Sequence, residues 1–164
     1  MLKNHFLKAY LVFAIAAALI YCIPVYFFIR YADYTRSALL YVGNFLFMGV
    51  VGTFLFYFRS KGPILKMMGM IGAGQIQVLR SVTCAFIASF VLLVVFKGLF
   101  ANEPGGKYLI NEPANTIHDK TNGLDFMVLV NSVVGNFLTG SFIVIILAAS
   151  LSGKLKRKNR STIL

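Results

Sequence analysis

The chain reads as an all-α, polytopic membrane protein with four transmembrane helices, arranged as two hairpins with both termini in the cytoplasm. Three observations lead there. Of its 164 residues, 59% are hydrophobic and only 13% are charged. A soluble chain carries about a quarter, so too few charges exist to coat a water-facing surface. The charges that are present stand between four long uncharged runs. Finally, the formal net charge of +11, from 16 Lys and Arg against 5 Asp and Glu, falls on one side of those runs.

The runs define the elements. About 20 apolar residues at roughly 1.5 Å each cross a hydrocarbon core of about 30 Å. Between Lys8 and Arg30 lie 21 uncharged residues, and between Arg36 and Arg59 lie 22. These give spans over about 9–29 and 38–58. Only 16 separate Arg80 from Lys97, but a terminal Lys extends its ammonium to the interface, which sets a third span over 81–100. The 28 between Asp125 and Lys154 allow a tilted or bent fourth span over 126–152. Residues 1–164 thus form a single membrane domain, with a cytoplasmic elbow at 59–80, an extracytoplasmic loop at 101–125 and a basic tail at 153–164. The N-terminal run is too long, and lacks the small-residue cleavage site, for a signal peptide. Cys22 and Cys84 fall at opposite depths, so no disulfide is expected between them.

Orientation follows from the cations. With four spans, the termini and elbow share one side, which carries Lys3, Lys8, Arg59, Lys61, Lys66, Arg80, Lys154, Lys156, Arg157, Lys158 and Arg160 and no acid. The other side balances Arg30, Arg36, Lys97, Lys107 and Lys120 against Asp33, Glu103, Glu112, Asp119 and Asp125. Excess Lys and Arg mark the cytoplasmic side. Anionic lipid headgroups are therefore the expected partners of Lys154, Lys156, Arg157 and Lys158. No nucleic-acid partner is expected, since basic tails routinely follow last spans.

Val-Gly-Asn-Phe-Leu occurs at 42–46 and again at 134–138, in spans that both run outside to inside, which suggests a duplicated hairpin with its axis along the membrane normal. Asn44 and Asn136 fall roughly 22 and 27 Å from the cytoplasmic end, where they can face one another in an interhelical hydrogen bond. Thr53 and Thr139 join them as polar packing residues. Small residues four apart, Gly49 and Thr53, Ser132 and Asn136, Gly135 and Thr139, Ala14 and Ala18, Ala85 and Ser89, mark close-packing faces. The glycine run in the elbow, at 69–74, lacks a preceding strand and a following Gly-Lys-Ser/Thr, so it is no phosphate loop. Tyr21, Tyr26, Tyr31, Tyr34 and Tyr41 gather at the outer ends of the first two spans as an interfacial belt, or as a surface for a partner helix.

What is missing narrows the function. No Asp, Glu, His or Arg is expected mid-span, as a proton-coupled pump needs. No Cys pair serves a disulfide-generating oxidase, His5 and His118 lie outside the spans and cannot hold haem, and no Ser has a His near it. No enzyme, cofactor or metal site is expected. The order of basic N-terminus, hairpin, Tyr-Phe-Arg-Ser-Lys-Gly at 57–62, elbow and second hairpin, with Val-Asn-Ser-Val-Val-Gly-Asn-Phe-Leu at 130–138 leading to Leu-Lys-Arg-Lys at 155–158, resembles uncharacterised four-helix bacterial inner-membrane families grouped as domains of unknown function. The resemblance implies a bacterial inner membrane and carries no catalytic motif. The expectation is a non-enzymatic subunit or accessory protein of a larger inner-membrane complex. The alternative is a small transport or channel-forming protein acting as a homo-oligomer around Asn44, Asn136, Thr53 and Thr139.

Overall fold

The computed structural model describes residues 2–31, 34–61, 66–97 and 124–160, with side chains over 7–31, 35–61, 66–96 and 125–151. The described residues are helical almost throughout. Helix α1 spans Leu2–Tyr31; a 3-10 turn, Tyr34–Arg36, leads into α2, Ala38–Lys61; α3 is Met67–Lys97; and α4, Leu124–Val130, passes through a π turn, Asn131–Gly135, into α5, Asn136–Arg160. Four stretches are long and apolar enough to cross a membrane: Leu7–Tyr31, Ala38–Lys61, Met67–Phe96 and Asp125–Leu151. The last joins α4, the π turn and α5 into one rod.

Packing arranges the four rods as a ring in the order α1, α2, α5, α3, in which α1 lies along α2 and α3, and α5 along the same two. Neighbours α1 and α2 run antiparallel, as do α3 and α5, so the expected hairpins are both present. Aromatic rings lock the first hairpin, with Tyr10 set 4.8 Å from Phe54 and Phe13 5.6 Å from Tyr57, centroid to centroid. At its other end the Arg36 guanidinium covers the Tyr31 ring at 3.7 Å, a cation–π contact across the connection. A two-fold along the membrane normal would carry α1 to α3 across the ring. Instead α1 lies beside α3 and α2 beside α5, so the hairpins sit side by side and no such two-fold relates them.

The third helix starts earlier than its charges suggest. Reading Arg80 as a boundary sets an elbow at 59–80 and a span at 81–100, whereas α3 is continuous from Met67, with Arg80 inside it, and ends at Lys97. The residues assigned to the elbow pack into the bundle: Met70 and Gln77 are buried. A Cβ on Gly74 would stand 2.6 and 2.8 Å from the two Val144 methyls. Gly74 therefore brings α3 close to α5. Residues 98–123, which hold nearly all of the outer loop, and 161–164 lie outside the described residues. The basic segment at 153–160 continues α5 as helix, and the Lys154, Lys156, Arg157 and Lys158 side chains lie outside the described set.

Close approach at Gly74 has a direct test. Overpacking a tight contact costs about 1–3 kcal/mol, so Gly74→Leu lowers bundle stability by that order in detergent unfolding. Gly72→Leu, at an exposed position where a Cβ meets nothing within 4 Å, leaves it unchanged.

Candidate functional site

Polar side chains in apolar helices gain most from partners inside the bundle. The largest such cluster joins α1, α2 and the π turn. Asn44 Nδ2 donates to Asn131 Oδ1 at 2.9 Å, and Asn131 Nδ2 donates back to Asn44 Oδ1 at 3.1 Å and to the Tyr21 hydroxyl at 3.0 Å. Tyr21 is fully buried and Asn44 nearly so. Two glycines make room. A Cβ on Gly135 would fall 2.5 Å from Asn131 Oδ1 and 2.7 Å from Asn44 Nδ2, and one on Gly43 would fall 3.0 Å from the Tyr21 ring.

The pairing differs from the one the repeated pentapeptides suggest: Asn44 pairs with Asn131, and Asn136 serves the π turn. There the Asn136 amide N–H bonds the Asn131 carbonyl, five residues back, which interrupts the ordinary ladder. Side chains supply donors to the carbonyls around it. Ser132 Oγ donates to Leu129 at 2.7 Å, Asn136 Nδ2 to Ser132 at 3.1 Å, and Thr139 Oγ1 to Gly135 at 2.9 Å. Asn136 and Thr139 thus satisfy their own helix, as Ser and Thr do where apolar helices depart from α geometry. Thr53 bonds its own Gly49 carbonyl at 2.9 Å and is exposed. Of the four expected polar packing residues, Asn44 is the one whose described side-chain bonds cross between helices.

Three further ties close the ring. The Gln77 amide, oriented so that each atom meets a complementary group, donates to the Tyr10 carbonyl at 3.1 Å and accepts from the Ala14 N–H and the Ser81 hydroxyl, both at 3.0 Å. It thereby joins α3 to the α1 backbone. Ser141 Oγ donates to Gln75 Oε1 at 3.0 Å, joining α5 to α3, and Arg59 Nη1 donates to the Leu151 carbonyl, joining α2 to α5.

The tyrosines divide. Tyr21 is fully buried and belongs to the amide cluster, not to the interfacial belt. Tyr26 packs on Phe96 of α3 at 4.9 Å, Tyr31 and Tyr41 are exposed, and the Tyr34 side chain lies outside the described residues. No group of three His, Cys, Asp or Glu among the described residues is placed to hold a metal ion. Sequence reasoning missed Asn131, Tyr21, Gln75 and Gln77. One signal was available: Asn131 and Asn136 stand five apart, the spacing of a π turn.

Fold and site together define a bundle of four helices long and apolar enough to cross a membrane, tied by side-chain amides. Comparison with protein families, curated proteins and solved structures finds no match to this chain.

The amide pair is open to a double-mutant cycle. Asn44→Leu and Asn131→Leu each destabilise the bundle, and their coupling energy comes to about 0.6–2 kcal/mol. Asn44→Leu and Asn136→Leu show none beyond additivity.

Proposed function

We propose that the chain is a non-enzymatic integral membrane subunit or accessory protein that acts by lateral packing against another membrane protein in a larger inner-membrane complex. In this reading it sits in the cell inner membrane with both termini cytoplasmic. The observation that carries the proposal is the outer face of α2. Gly49 and Thr53, one of the small-residue pairs expected to pack helices, face outwards, and a Cβ on Gly49 would meet nothing of this chain within 4 Å. Exposed Phe45, Leu46 and Phe56 flank them. Small residues between large apolar ones let a second helix approach closely. Three of the other four small-residue pairs are taken up within the bundle, with Ala14, Ala18, Ala85, Ser89, Ser132 and Asn136 all buried, and Gly135 and Thr139 are half-buried.

A transport pathway through the chain has less support. Asn44 is paired with Asn131, Asn136 is buried with its Nδ2 on the Ser132 carbonyl and its Oδ1 without a partner among the described residues, and Thr53 faces outwards, so these residues share no seam. A homo-oligomer remains a form the lateral contact can take, with the second copy as partner.

Native mass spectrometry after purification in mild detergent tests the proposal. The expected result is a stoichiometric membrane partner that is lost in Gly49→Leu, whose bundle stability is unchanged; a lone monomer overturns it. For topology, single cysteines at Asn115→Cys and Ser161→Cys, in a background with Cys22 and Cys84 replaced by Ala, label from opposite sides of the membrane. Same-side labelling refutes the four-span arrangement.

A further inference from the structure

Arg80 is the one charged residue in the apolar stretch Met67–Phe96, and its depth follows from its neighbours. Gln77 meets α1 between Tyr10 and Ala14, already beyond the point where the apolar run of α1 begins at Ala9. Arg80 lies three residues, about 4.5 Å, further along. Cα–Cβ bonds tilt toward the helix N-terminus, so the side chain leads back to the end where Lys8 stands, and its guanidinium crosses the Tyr10 ring at 4.9 Å. Brought back to that end, the guanidinium is exposed and offers its N–H donors to an anion there. The chain has five carboxylates. The one among residues with described side chains, Asp125, is in the first turn of α4 at the opposite end of the bundle.

Beside this guanidinium lies a groove of about 550 Å³ between α1 and α3 on the outside of the bundle, lined by Leu7, Lys8, Leu11 and Ala14 from one helix and Leu79, Arg80, Thr83 and Cys84 from the other. Its walls are almost wholly apolar, and both cations belong to it. The concavity exists because Ala14 and Thr83 are small where Leu7, Leu11 and Leu79 are large.

We propose that this groove binds one anionic phospholipid of the cytoplasmic leaflet, its phosphate held between Lys8 and Arg80 and an acyl chain lying along Leu11 and Thr83. The site rests on the membrane orientation proposed above. A soluble phosphate or peptide would match the cations but leave the long apolar floor bare; a lipid fills both. Lys8 at the helix end supplies charge at headgroup level, and Arg80, rising from deeper, supplies a forked donor that carboxylate and phosphate oxygens match.

The chain contains no Trp, so a single introduced indole reports on one place. Leu79→Trp puts it in the groove, and Phe142→Trp puts it on the exposed face of α5, away from it. The full chain is reconstituted in vesicles whose lipids, phosphatidylglycerol or phosphatidylcholine, are brominated in their acyl chains. At Leu79→Trp, the relative binding constant from quenching favours phosphatidylglycerol by roughly fivefold, the effect of about one basic residue near an anionic headgroup. At Phe142→Trp the two lipids quench alike. Adding Lys8→Gln with Arg80→Gln abolishes the preference, Lys8→Gln alone reduces it, and Thr83→Phe, which fills the groove, removes it with both cations in place. Equal quenching by the two lipids in the groove, an equal preference at both reporters, or a preference surviving the double substitution overturns the site. Absence of quenching by either lipid at both reporters would instead overturn the membrane reading.

Discussion

The bundle depends on one constraint: a side-chain amide in an apolar helix finds its partners in protein, and among the described residues only the Asn136 Oδ1 is a buried amide atom left without one. Asn44 and Asn131 meet this reciprocally, each donating to the other, and Tyr21 takes the second Asn131 proton. Three of the four rods thereby share a fixed register in the half of the bundle away from Lys8. In the other half, Gln77 meets the same constraint against the α1 backbone and Gln75 against Ser141. Apolar burial alone would hold such helices weakly in lipid, where tails compete with side chains for every apolar surface. The amides set which helix faces which, and glycines at 43, 74 and 135 let the backbones come close enough for them to do so.

The π turn serves the same end. Without it, Asn131 would keep regular helical phase with Gly135 and Asn136. The i→i−5 bond shifts the segment before the turn relative to the segment after it, and Asn131 meets α2 across the hydrogen of Gly135. The cost is a broken ladder in an apolar setting. Ser132, Asn136 and Thr139 offset it with donors of their own. A polar residue in such a rod therefore has two possible tasks, and the sequence does not say which. Asn44 and Asn136 occupy equivalent places in the repeated pentapeptide, yet one ties two helices and the other repairs its own.

That ambiguity explains what could and could not be read from residues alone. The uncharged runs lie inside the first, second and fourth rods, which continue past the flanking charges, as α1 does from Leu2 through Lys3 and Lys8. The third differs at Arg80, whose aliphatic stem allows its Cα to stand inside a boundary that its guanidinium does not cross. Residues 67–79 of the expected elbow are helical for the same reason. Small-residue spacing found packing faces but not their partners: Ala85 and Ser89 are buried, while Gly49 and Thr53, with an equivalent pattern, face out. By position Tyr21 belongs with the outer tyrosines, because position along a helix is legible in a sequence and rotation about its axis is not.

Helix α3 shows how one rod carries three different polar duties without conflict. At about 100° per residue, Gln77 lies about 160° from Gln75 around the axis, and Arg80 about 60° from Gln77. Gln75 accordingly meets α5, Gln77 enters the α1 backbone, and Arg80, on the α1 side but rotated off the contact, emerges at the groove. A substitution that turned α3 by one residue's angle would unseat all three at once, and the close seat of Gly74 on Val144 opposes that rotation. The exposed cation is thus held in place by the buried amides. Its position beside the groove is a property of the bundle, not of a free surface side chain.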